Sequence, residues 1–211
     1  EPAFNVEQVT PFGLTIATNE GYRYQIDHSK VSVVFHHRMR AKPISGGLPV
    51  MHMLSSPAPF SQILPTVADK LAEAVLSLPR ISERTLIRVG VLSTTNVARD
   101  DVPPGIDRFI KYVGRPWPDG TDDLSLNIFG RVKETDHWSD RCSHQLQMSE
   151  DKEKLLVVAF DYQRTFKVPS KVNEDRLRQL FRQCREDAVE YFERVAEGNM
   201  FDEQLISGAS D

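Results

Sequence analysis

The residues best placed to do chemistry in this sequence are basic. His36, Arg38 and Arg40 recur at every second position and Lys42 continues the series. In an extended chain they project from one side, where together they could clamp a carboxylate or a phosphate. The same spacing also describes a charged outer face that discourages edge pairing. A second cluster, Asp136-His137-Trp138-Ser139-Asp140-Arg141-Cys142-Ser143-His144, concentrates possible metal ligands. On a strand Asp140, Cys142 and His144 share a face, but Leu146 and Met148 continue it, which marks it as core and argues against a metal. Arg88 and Asp161 stand among apolar strand neighbours, where a charge usually persists only with a partner, so either a mutual ion pair or hydrogen bonds to a neighbouring loop are expected. Trp117, between Pro116 and Pro118, is expected to plug the edge of a core. The chain has no phosphate-cradling G-x-x-x-x-G-K-[ST], no G-x-G-x-x-G, no G-x-S-x-G and no H-E-x-x-H. Catalytic residues are therefore not identified, no cofactor is expected, and an enzyme would need a site assembled from scattered residues.

The basic series lies on a predicted strand, residues 30–40. Val31, Val33, Phe35, His37 and Met39 occupy its core face, and the basic residues fall on the other. Two earlier strands, residues 12–18 and 22–27, flank Asn19-Glu20-Gly21, a connection rich in residues that tolerate positive φ. Residues 42–59, broken by four prolines and Gly46-Gly47, read as a long excursion with a short extended piece near Val50. An amphipathic helix follows from Phe60 to Leu76, where Pro65 implies either a start near Leu64 or a kink.

The second half opens with a strand over 85–97 that turns Ile87, Val89 and Val91 inward. Residues 99–120 then leave regular structure, apart from one or two helical turns within 106–113. Three strands, residues 124–134, 140–149 and 155–168, suggest an antiparallel meander. The last turns Leu156, Val158, Phe160, Tyr162, Phe166 and Val168 inward. Asn173 caps a terminal helix whose stripe runs from Leu177 to Val195 and which Gly198 ends. The fold class expected is α+β, mainly antiparallel sheet in the order βββα-β-βββα, with two amphipathic helices packed on the sheets. Residues 1–206 are expected to form one domain and 207–211 a frayed tail.

Composition narrows the function classes. Hydrophobic residues make up 40% and charged residues 27% of the 211, which is ordinary globular usage and predicts a packed core. A net charge of -4 supplies no overall basic field, so nucleic acid is an unlikely partner by charge alone. Two cysteines, Cys142 and Cys184, make no disulfide framework, and free thiols in a reducing, cytoplasmic compartment are expected. No apolar run reaches the length of about 18 residues that a membrane-spanning helix needs, and no secretory leader layout opens the sequence.

The segment from the amphipathic helix into Arg88-Val89-Gly90-Val91, with Asn96 beyond it, a late strand carrying Asp161 and a terminal helix ending in aromatics resembles a sporadically distributed family of uncharacterised bacterial proteins. The resemblance spans residues 22–197 in outline, and Leu92-Ser93-Thr94 stands where that family has an aromatic before the Asn. It implies a single α+β domain of bacterial origin and no particular activity. The function expected is a non-enzymatic interaction or regulatory module with a protein partner or a second copy, an acidic ligand being possible. The alternatives are an enzyme with a dispersed site and a small-ligand-binding domain.

Overall fold

The computed structural model describes residues 4–37, 39–42, 50–53, 60–114, 124–148 and 155–198. The protein is α+β, with two antiparallel four-stranded sheets, a two-stranded ladder and three helices. The chain gathers into two compact units, residues 1–84 with 172–182, and residues 85–171 with 183–211.

In the first unit β1 (Phe4–Thr10), β2 (Gly13–Thr18), β3 (Tyr22–Asp27) and β4 (Val31–Phe35) pair in sequence order. β1 adds a strand beyond those expected. All of its residues are exposed, so it carries no in-and-out alternation, and the backbone ladder to β2 holds it in place. Gly21 sits at φ 98° in the turn between β2 and β3, the left-handed conformation expected of that turn. The Asp27 carboxylate accepts from the backbone amides of Ser29 and Lys30, which fixes the next turn. The extended basic segment divides. β4 stops at Phe35, and the chain resumes as β5 (Met39–Lys42), which pairs with β6 (Val50–Met53). α1 (Phe60–Leu76) begins at Phe60 with Pro65 inside it. The proline leaves only the Ser61 carbonyl without its helical donor, and Ser61 is exposed to water. Leu64, Ala72 and Val75 form its buried stripe.

The second unit is built on the sheet β7 (Thr85–Ala98), β10 (Leu155–Lys171), β9 (Trp138–Met148) and β8 (Leu124–Glu134), in that spatial order. The register between β7 and β10 is unbroken from Arg88 opposite Thr165 to Ala98 opposite Leu155. It then shifts, because Phe166 to Pro169 face only Ile87. This bulge corrects two expectations of strand parity. Val168 and Ile87 are not core residues but are 76% and 60% exposed, since the residues that leave a ladder also lose its in-and-out alternation. Pro169 lies in the bulge, where a missing amide does not interrupt a ladder bond.

α2 (Pro104–Val113) is the third helix, longer than the turn or two expected. Its Ile106 joins Leu124, Leu146, Leu156 and Val158 in a buried cluster flanked by Phe109 and Ile110. α3 (Glu174–Glu197) follows its predicted limits. The Asn173 side chain accepts from the Arg176 amide, and Gly198 closes the helix at φ 87° with its amide on the Arg194 carbonyl. Leu177, Phe181, Cys184, Ala188, Phe192 and Val195 are buried along one stripe. Among the described residues no helix is long and apolar enough to cross a membrane.

Candidate functional site

Strand alternation divides the side chains of the second sheet into two sets with opposite chemistry. On one face lie Leu124, Leu146, Leu156, Val158 and Val89, all buried, and α3 supplies aromatic cover. Phe192 stacks on Phe160 at 5.1 Å, and Tyr191 meets His144 edge-on at 5.5 Å.

Within this apolar face sits an ionic cluster that sequence reasoning missed. Arg164 and Asp140 are 1% and 0% exposed. Arg164 donates through Nε and Nη2 to the two oxygens of Asp140, at 2.8 and 2.6 Å, and again through Nη2 to Asp187 of α3. The Tyr162 hydroxyl donates to Asp140 at 2.7 Å, and the Trp138 ring lies 4.7 Å from the guanidinium carbon. Burial opposes the charge on Arg164, but its bonds to Asp140 and Asp187 outweigh this and raise its pKa. One signal was available, since Arg164 falls in phase with Leu156, Val158, Phe160 and Tyr162. A charge inside a core stripe requires a partner in phase on a neighbouring element, and Asp140 on β9 is one. With Asp140 held by both Arg164 and Tyr162, the cluster pins α3 to the sheet.

The remaining members of the suspected metal cluster are also engaged in packing. His144 Nε2 lies 2.8 Å from the Tyr191 hydroxyl, and Cys142 is 1% exposed. Among the described residues no group of three or more His, Cys, Asp or Glu is arranged to hold a metal ion. Burial pushes the His144 pKa down to about 4, so the folded protein keeps the ring neutral while the unfolded chain protonates near pH 6.5. The sign follows. This contribution to stability is complete above about pH 6.5 and is lost as pH falls from there toward 4, because the unfolded state then binds the extra proton. Wild type should therefore lose roughly 2–3 kcal/mol more than His144→Phe between pH 7 and pH 4. Urea denaturation at each pH measures the difference, and parallel profiles would count against it.

Cys142 and Cys184 are both buried and free. Burial pushes each thiol up to about 12, with the Asp161 carboxylate adding to the effect at Cys142. Native protein should react with a thiol reagent only as fast as it unfolds, and its melting temperature should be the same with and without reductant.

The opposite face of the second sheet is polar and open. Arg88 donates to the Gln163 side-chain oxygen at 3.1 Å, and the Gln163 amide donates to Asp161 at 2.6 Å. The two residues expected to pair thus meet through Gln163. Next to them Ser143 donates to Asn127 at 3.0 Å. A half-open depression of about 420 Å³ lies on this side, lined by Phe129, Arg131, Arg141, Ser143, Asp161 and Gln163 among others. Phe129, one of the lining residues, is 76% exposed. Arg131 pairs with Glu134 at 2.6 Å, whereas among the described residues no carboxylate pairs with Arg141.

Of the basic series on the first unit, His36 is exposed and its amide donates to the Gly21 carbonyl at 2.9 Å. Arg38 and the side chain of Arg40 lie outside the described residues, as does Trp117. His37 continues the inner parity of β4, its ring edge-on to Phe35 at 5.2 Å.

No protein-family model, curated protein or solved structure matches the chain.

Proposed function

We propose that the chain is a non-enzymatic interaction module of a bacterial cytoplasmic system, engaging an acidic segment of a protein partner across the open face of its second sheet. The observation that carries this reading is Phe129, 76% exposed, lining a depression together with two arginines. Aromatic residues and arginine are both enriched at protein interfaces relative to the rest of the surface. The shape of the site supports the same reading. Small-molecule pockets enclose most of their ligand, whereas this depression is open to solvent on a sheet and suits a chain laid over it. Gln163, Ser143 and Asn127 supply amide and hydroxyl groups that could meet the backbone of such a segment. The carboxylates of the ionic cluster lie among buried side chains and are already bonded to Arg164, which supports a structural use for them.

The test is affinity capture from bacterial cytosol with wild type and with the Phe129→Ser/Arg141→Ser double variant, followed by binding measured with the purified partner. The double variant should bind at least tenfold more weakly, and raising the salt concentration should weaken wild type as exposed charges are screened. Equal capture by the two proteins would overturn the proposal.

A further inference from the structure

Strand edges invite pairing with other chains, and proteins usually guard them with charge, proline, bulges or short length. Three of the four edges of the large sheets show such guards. β1 is seven residues long and has a register break beside Glu7. β4 has five residues. β8 carries Arg131, Lys133 and Glu134 and a register break between Arg131 and Lys133.

The fourth edge, β7, is the least guarded, being neither short nor interrupted by proline, and its one register break falls near its start, at Ile87. It runs for 14 residues, Thr85–Ala98, with no lysine and no proline, and Arg88 is its only charge. Its ladder to β10 is regular from Arg88 to Ala98, so its outer amides and carbonyls follow in unbroken alternation. Among the described residues nothing pairs with that outer side, and most of the strand is exposed.

We infer that β7 pairs antiparallel with β7 of a second copy, about a two-fold axis at Leu92, to give a continuous eight-stranded sheet. The pattern of the strand is self-complementary in this register. Leu92 is the midpoint of residues 86–98, so an axis there uses nearly the whole edge, about 43 Å of strand. It sets Leu92, which is 68% exposed, against its own copy. It sets Val89 against Thr95, both within the regular part of the ladder. Aliphatic and β-branched cross-strand pairs of this kind stabilise a sheet. Arg88 falls opposite Asn96, so the one charge of the strand never meets itself. The two-fold axis is perpendicular to the sheet, which keeps α3 and its copy on one side and makes the open face continuous across both subunits. This surface and this partner are separate from those of the proposed function, and either can fail without the other.

Sedimentation velocity on the full chain tests the pairing. Wild type should be a dimer at about 100 µM, and Leu92→Lys should weaken association at least about tenfold by placing two ammonium groups face to face on the axis. Leu92→Glu should do the same. An equimolar mixture of the Lys and Glu variants should recover the dimer, a result specific to the register in which position 92 meets itself. Circular dichroism and melting of each variant under dissociating conditions should match wild type, since the side chain is exposed. Val6→Lys on the edge of β1 should leave the dimer intact. A wild type that stays monomeric, a dimer indifferent to Leu92→Lys, or a mixture that fails to reassociate would each overturn the inference.

Discussion

Arg164→Leu should destabilise the protein by about 3–5 kcal/mol, as expected when one partner of a buried ion pair is removed and the other remains. The residue left behind decides the size of the effect. Asp140 is 0% exposed and would retain only the Tyr162 hydroxyl, too little to compensate a carboxylate charge in that interior. Asp187 would lose its bond from Arg164 but is 32% exposed, so water can solvate it. The cost should therefore fall mainly on Asp140, and a second substitution shows this. Arg164→Leu/Asp140→Leu should recover a large part of the loss, because two apolar groups in contact cost less than one orphaned charge. Urea unfolding of both single variants and the double variant completes the cycle. If the double variant is as unstable as the sum of the singles, the two residues do not act as a pair.

Gly105→Ala should cost about 3 kcal/mol, against the usual direction for a helix. Replacing glycine by alanine inside a helix ordinarily gains up to about 1 kcal/mol. Gly105 is a first-turn residue of α2, however, and a methyl group there would collide with the Val195 carbonyl oxygen and with the backbone nitrogen and Cα of Gly198. All three are backbone atoms at the end of α3, and they can yield only if one helix moves away from the other. Arg108 reinforces that contact by donating to the Glu197 carbonyl at 3.0 Å. Gly130→Ala is the matched control, since a methyl there would meet nothing within 4 Å and should gain a few tenths to about 1 kcal/mol. Thermal melts of the two variants should move in opposite directions.

The parts of the fold legible in the sequence were those with a strong period. α3 announced itself through Asn173, its apolar stripe and Gly198. β1 was missed because its alternation, Phe4-Asn5-Val6-Glu7, is only four residues long and breaks at Gln8. The bulge at Phe166 to Pro169 misled in the opposite sense, since apolar residues kept the period of a strand across a segment that leaves the ladder. The ionic cluster shows a different limit. Arg164 and Asp140 each sat in phase with a core stripe, but their pairing depended on the register of β10 against β9, which sets Arg164 opposite Asp140 and which no local pattern encodes. The open face was equally illegible. Arg131 and Arg141 are ten residues apart and meet only because β8 and β9 pair them directly.

The division of α3 between the two units has a consequence for the order of events during synthesis. The first unit comprises residues 1–84 and also residues 172–182, and the latter carry Leu177 and Phe181, buried to 1% and 6% exposure. A ribosome making the chain at ~5–20 residues per second needs about 5–20 s to travel from Arg84 to Arg182. Throughout that interval the four strands and α1 exist without the last segment of their own unit. The N-terminal unit thus cannot be completed first even though nearly all of it is translated first. A nascent chain stalled before residue 172 should be a better substrate for holding chaperones than one released beyond residue 182.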